Sequence, residues 1–250
     1  MEQFKIRASA LSQIMGRVGL TDTQESDLMA LITRDSDPLQ KPLTAKMRET
    51  MKELIQKRDN PDLPQTARTY LMQWYSGESV ELRSKYIDKG IMCEYECIQF
   101  MAHVLDFGIA NKNKDRFETD HIMGEPDVIF NTCIVDVKCS WDRATLQSQI
   151  GAINSDYWWQ LLAYCILTNR NNAILFYGLM DTDESINYGT EVIYSDLPDS
   201  ERWIAYELNF TDQQLKSYES AIIERVEMCR TWLNEYDQKV KAKLGRINKA

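Results

Sequence analysis

The segment from Gly124-Glu125-Pro126-Asp127 to Asp136-Val137-Lys138 narrows the possible folds most. Asp127-Val-Ile-Phe130 and Cys133-Ile-Val-Asp136 are rich in β-branched residues that suit strands, and Asn131-Thr132 between them reads as a two-residue turn. A hairpin closed by that turn sets Asp127 opposite Asp136. Lys138 shares their face, because side chains along a strand repeat every second residue. Two carboxylates held that close repel each other unless a cation sits between them. The pattern therefore asks for a hard divalent metal with oxygen ligands, and a lysine beside it suits hydrolysis of a phosphodiester.

Residues 80–105 read as a helix with an apolar stripe of Ile87, Ile91, Ile98, Met101 and Leu105. Glu94 falls at the centre of that stripe and Glu96 on the opposite face. A carboxylate in a buried stripe is costly unless it pairs with a buried Arg or Lys or binds a metal. The neighbouring hairpin tips Glu94 toward the metal. Gly90, one turn earlier, predicts the close approach of another backbone. Gln160 and Tyr164 are four apart and project from one side of a helix over 157–168 that is apolar almost all round. An amide and a phenol in such a helix need hydrogen-bond partners, whether in a site or only in the core. Trp158 and Trp159 on the same helix could stack on bases, but on a packed helix aromatic residues read first as core.

With these elements in order, the chain resembles the PD-(D/E)xK nuclease superfamily. Gly90-Ile-Met-Cys-Glu94 looks like the Gly-x-x-x-Glu helix of its RecB-type branch, and Gln160-Leu-Leu-Ala-Tyr164 like that branch's Gln-x-x-x-Tyr element. Asp136-Val-Lys-Cys-Ser140, followed by Gln160 to Thr168, is particularly similar to the viral and prophage alkaline exonucleases of the lambda and YqaJ type. The likeness covers about residues 80–180. It departs from that group in having Asp136 where Glu is frequent, and Ser140 where a Pro commonly follows the cysteine.

The resemblance implies an α/β (α+β) fold with a restriction-endonuclease-like core, a central mixed sheet flanked by helices, and a helical N-terminal elaboration. It implies Mg2+, with Mn2+ able to substitute, held by Glu94, Asp127, Asp136 and the backbone carbonyl of Val137. Lys138 would either position the attacking water or stabilise developing charge, and Gln160 and Tyr164 would orient Lys138 and the substrate strand. The implied substrate is linear double-stranded DNA, digested from a 5′ end to leave a 3′ overhang for a single-strand annealing protein, and the implied assembly is a trimer. Arg7 and Ser9, within Lys5-Ile-Arg-Ala-Ser9, are candidate phosphate contacts. Two alternatives stand beside this reading: a RecB-type endonuclease or single-strand-specific nuclease of repair or defence, and an inactive nuclease-fold binding protein. Some RecB-type relatives hold an iron-sulfur cluster on a C-terminal group of cysteines; here only Cys229 lies beyond Cys165, so no cluster is expected.

A formal charge of −9 makes the mean field of this chain repel a polyanion. Attraction then falls to local groups: Lys112, Lys114 and Arg116 just before the hairpin, and Lys239, Lys241, Lys243, Arg246 and Lys249 near the end, unless these are only solvated. His121, close to Gly124, either contacts a metal or phosphate or is structural. The six cysteines are scattered among apolar neighbours and read as reduced core residues. The first 20 residues lack the apolar core of a signal peptide and no apolar run reaches membrane-spanning length, so a cytoplasmic protein is expected.

The 250 residues read as one nuclease domain: a helical elaboration over 1–85, a catalytic core over 86–210, and a C-terminal helix with a basic tail over 211–250. Ser9 is expected to cap a helix over Ala10–Met15, a polar loop to follow, and another helix to run near Thr44–Lys57. Strands are expected at Ala173–Met180, Glu191–Tyr194 and Trp203–Phe210, with a break at Asp181–Ser185. Thr211 and Gln214 form a capping box for a helix to about Tyr236.

Overall fold

The computed structural model describes residues 3–77 and 84–245. The chain forms two compact units, Met1–Ser12 with Glu78–Arg230 and Gln13–Gly77 with Thr231–Ala250. It opens with strand β1 (Ile6–Arg7), a 3-10 turn over Ala8–Ala10 and the short helix α1 (Leu11–Ile14). Ser9 therefore lies inside the turn and caps no helix, contrary to expectation.

Helices α2 (Asp22–Ser36), α3 (Ala45–Asp59) and α4 (Gln65–Ser76) belong to the second unit. α2 occupies the segment expected to be a loop. Its start is a reciprocal capping box, in which Thr21 and Gln24 each accept the other's backbone N–H at 3.2 Å. α3 begins as expected, with the Thr44 hydroxyl accepting from the Met47 N–H. Leu20, Leu28 and Leu54 form the small apolar core between α2 and α3.

The first unit holds α5 (Lys85–Val104), β2 (Phe117–Glu118), β3 (Ile122–Gly124), β4 (Val128–Ile129), β5 (Cys133–Ser140), α6 (Arg143–Gln147), α7 (Ser155–Thr168), β6 (Asn172–Leu179) and β7 (Trp203–Asn209). The long α8 (Asp212–Lys243) follows the Thr211–Gln214 box and runs past Tyr236. Residues 80–83 of the expected 80–105 helix lie outside the described residues.

The central sheet is mixed, in the order β4-β5-β6-β7, with β5 and β6 parallel and the outer pairs antiparallel. A parallel pair needs a crossover, here supplied by α6 and α7. α5 covers the face that carries Val135 and Val137, while α7 lies on the Asp136 face. A second, small sheet has the order β1-β3-β2. This α/β architecture is the one the sequence predicts.

Three local expectations fail. On α5 the buried positions are Lys89, Cys93, Cys97, Ile98, Met101 and Ala102, whereas Ile91 is 72% exposed and Ile87 41%. Small thiols let the helix lie close to the sheet: a Cβ on Gly178 of β6 would meet Cys97 Sγ at 2.6 Å. Gly90, the expected point of close approach, has nothing within 4 Å of its Cβ position. Glu191–Tyr194 makes no strand, only the bridge Thr182–Val192. There the Asp181 carboxylate takes the N–H groups of Tyr194 and Ser195 and curls the chain. All six cysteines are free thiols, and no helix among the described residues is long and apolar enough to cross a membrane.

Candidate active site

The Asn131-Thr132 turn closes the hairpin in the expected register, with Val128 opposite Val135 and Ile129 opposite Ile134. Phe130 N–H donates to Cys133 O at 2.8 Å, so bonded pairs alternate outward from 130/133 through 128/135 toward 126/137. Asp127 and Asp136 are then a non-bonded pair, the kind whose side chains approach most closely. At the next bonded position Pro126 has no N–H to give. Its carbonyl turns to Asn113 Nδ2, and the Val137 N–H donates to Asp127 Oδ2 at 2.8 Å instead. The Pro-Asp pair thus ends the ladder where the Val137 carbonyl faces the site.

Asp136 is 1% exposed, and two groups meet on it. Gln160 Nε2 donates to Asp136 Oδ1 at 3.1 Å and to the Tyr164 hydroxyl at 3.0 Å, so the two polar residues of α7 form one chain to the carboxylate. Lys138 Nζ lies 2.6 Å from Asp136 Oδ2. Its direction does not make a regular hydrogen bond, which leaves Oδ2 a buried oxygen without one. Tyr164 can approach because the neighbouring position is glycine: a Cβ on Gly124 would lie 2.7 Å from Tyr164 Cε1 and 2.9 Å from Ala8 Cβ.

The electrostatics match a site built for a cation. Burial, and then the Asp136 charge, push Asp127 up to about 7, although the Val137 N–H and Lys138 oppose this. Burial tends to discharge Lys138, but Asp136 outweighs it and holds the ammonium above its ordinary value. Burial likewise raises Tyr164, and Asp136 adds to it, so the phenol stays protonated. A buried carboxylate oxygen met only by an ammonium, beside a second, protonation-prone carboxylate, fits a hard divalent ion with oxygen ligands. Asp127, Asp136 and the Val137 carbonyl are the groups that would hold it.

Glu94 does not complete the expected trio. It sits at the edge of the buried face of α5, near enough for its charge to raise Asp127, but its carboxylate is paired with Lys112. Among the described residues no three His, Cys, Asp or Glu side chains gather as a metal-holding group. The fully buried charge on α5 is Lys89, whose ammonium donates to the Trp141 carbonyl at 2.9 Å.

Beside the carboxylates a cleft of about 290 Å3 is lined by Arg7, Ser9, Arg116, Gly124, Glu125 and Tyr164. β1 delivers Arg7 to it by pairing with β3, Arg7 opposite Met123. Of the remaining expected contacts, Lys112 is engaged by Glu94 and Lys114 is exposed outside the cleft lining. His121 lies 3.0 Å from Glu227 on α8, which gives it a structural partner. Lys241 and Lys239 pair with Asp237 and Glu235 along α8, and Arg246 and Lys249 lie outside the described residues. Trp158 and Trp159 are half-buried and pack edge-on against each other and Tyr218. Missed by the sequence reading are Gly124, Tyr157 and Tyr177. Tyr177 precedes Gly178 in a strand of apolar residues, so its side chain reads as packing.

The sequence matches no family model and no curated protein. Among solved structures, the chain is similar to a phage-related exonuclease from Haemophilus somnus 129PT, with 20% identity over 95% of this chain and 97% of the other, at a TM-score of 0.66. It is also similar to an alkaline exonuclease from Laribacter hongkongensis, with 14% identity over 96% and 95% of the chains and a TM-score of 0.53. The complex of that enzyme with dAMP matches at 15% identity and a TM-score of 0.52, over the same shares of the two chains. Across nearly their full lengths these chains share one fold.

Proposed function

We propose that this protein is a Mg2+-dependent deoxyribonuclease that degrades linear double-stranded DNA from its ends, in the 5′ to 3′ direction. The observation that carries the reading is the buried Asp136, bonded by Gln160 and contacted by Lys138 with Asp127 across the ladder. Its fold, shared with exonucleases, supports the same reading.

Asp127, Asp136 and the Val137 carbonyl would hold Mg2+, or Mn2+ in its place, and the ion would supply acidification of water and neutralisation of phosphate charge. Gln160 fixes Asp136 through Oδ1 and thereby aims Oδ2 into the site. Lys138 serves as donor to the reacting phosphate or the water, and the neighbouring Asp136 favours its charged state. Arg7, Ser9 and Arg116 take a phosphate of the bound strand in the cleft. The two arginines offset locally a net charge of −9 that otherwise opposes binding.

We read the whole chain as one nuclease domain acting in the cytoplasm, as a ring-forming trimer that hands a 3′ overhang to an annealing protein in recombination or repair. The test is incubation with end-labelled linear and covalently closed DNA, with Mg2+ or EDTA, beside Lys138→Ala and Asp127→Ala. Loss of linear DNA only, dependent on metal and abolished in both variants, is the expected result. Equal degradation by the variants defeats the assignment.

A further inference from the structure

Tyr177 stands directly beside Lys138 across the parallel β5–β6 ladder, so their side chains share the face that carries Asp136 and Ser140. Tyr177 is 4% exposed, yet its hydroxyl has no hydrogen-bond partner among the described residues. The Ser140 hydroxyl, two residues beyond Lys138 on that face, is also buried and unbonded. Buried hydroxyls are normally paired, and a pair of exceptions beside one ammonium calls for a cause. Tyr157 supplies the other wall: Lys138 Nζ lies 5.0 Å from the centre of its ring, and that ring meets the Tyr177 ring edge-on at 6.1 Å. Tyr206, edge-on to Tyr177 at 6.5 Å, has its own hydroxyl engaged by Gln149 O and the Gly151 N–H.

The Lys138 ammonium therefore has two competing attractions. Asp136 draws it onto the carboxylate, where it stands against the oxygen that a cation would take. The face of Tyr157 and the open hydroxyl of Tyr177 draw it sideways, along the sheet. We infer that Tyr157 and Tyr177 are positioning residues, which hold the Lys138 ammonium at its working place once Asp136 is otherwise occupied. A phenol oxygen accepts from the ammonium there, and the ring face stabilises the charge without supplying a carboxylate that would trap it. This inference rests on the proposed nuclease reading for its kinetic consequence, though not for the contact itself.

Two measurements test it. In metal-free protein with labelled lysine, NMR is expected to show the Lys138 ε-methylene protons shifted upfield by the Tyr157 ring. The shift disappears in Tyr157→Leu and persists in Tyr157→Phe. With Mg2+ and linear DNA, Tyr157→Leu and Tyr177→Phe each lower kcat about tenfold and leave KM within about twofold, while Tyr157→Phe recovers most of the loss. Tyr177→Phe removes a single oxygen from a filled position, so the variant folds and isolates the hydroxyl. Absence of the upfield shift, or its survival in Tyr157→Leu, overturns the inference. So does a wild-type kcat in both Tyr157→Leu and Tyr177→Phe, or an equal loss in Tyr157→Phe and Tyr157→Leu. Should wild-type protein cut no DNA, the nuclease reading falls alone, and the NMR shift still decides whether the ring holds the lysine.

Discussion

Gly124 and Tyr164 are in such close contact that a single added methyl group on the glycine would come within 2.7 Å of the tyrosine ring. Because the Tyr164 hydroxyl accepts from Gln160, and Gln160 bonds Asp136, the backbone of β3 is coupled to a carboxylate of the candidate site. Gly124→Ala is therefore expected to displace the ring, cost about 1–3 kcal/mol of stability, and lower kcat more than KM rises. Chemical denaturation and steady-state kinetics check it, and an unchanged kcat would break the proposed coupling.

Burial of Asp127 beside Asp136 makes the metal-free protein sensitive to pH. The Asp127 carboxyl rises from 3.8 in the unfolded chain to about 7 in the fold, so between those values the folded protein holds a proton that the unfolded chain has lost. Stability in EDTA accordingly falls as pH climbs through that interval and levels off above it. Asp127→Asn keeps an acceptor for the Val137 N–H while removing the repulsion. It is expected to abolish cleavage, flatten the pH dependence, and raise stability in EDTA at pH 8 by about 1–2 kcal/mol. Melting temperatures from pH 4 to 8 decide the point.

Arg7 and Arg116 are expected to act on binding and not on the chemical step. Alanine at either position should raise KM several-fold with kcat little changed. Each should also reduce the slope of log affinity against log salt by about 0.7–0.9, the share of one phosphate contact. A fall in kcat at constant KM would move these residues from strand binding to the reaction.

Lys89 offers a test in which stability, not activity, responds. Burial lowers its pKa, and its ammonium bonds a carbonyl rather than a carboxylate. Lys89→Met exchanges a buried charge for an apolar chain of similar reach and is expected to stabilise by about 1 kcal/mol or more. Lys89→Ala leaves a cavity and should destabilise by about 2–4 kcal/mol. Urea unfolding of the two variants is the measurement.

The hairpin was legible because its turn, its β-branched strands and its carboxylates all agree on one register. Gln160 and Tyr164 were legible by spacing alone, since residues four apart on a helix share a side. The phase of α5 was not. Apolar periodicity ranks Ile87 and Ile91 above Cys93 and Cys97, but contact with a flat sheet rewards small side chains, and Gly178 on the opposing strand has no mark of its partner. β1, β2 and β3 are two or three residues long, below the length at which alternation can be read. Arg7 therefore came from resemblance, while its delivery to the cleft depends on Ile6 and Arg7 pairing with residues more than a hundred positions away. α2 escapes the sequence reading although Thr21 and Gln24 announce it, because its apolar residues stand together in Leu28-Met-Ala-Leu-Ile32 instead of recurring at helical spacing.

Pro126 has a consequence beyond ending a ladder. With no N–H at position 126 the pairing cannot extend past Asp127, so the ladder is confined between Pro126 and the tight Asn131-Thr132 bend. A slip of one residue would turn Asp127 toward α5 and bring Val128 to the catalytic face. The same missing hydrogen that leaves a carbonyl without a strand partner thus also keeps the ladder short, with the two acids facing each other at its open end.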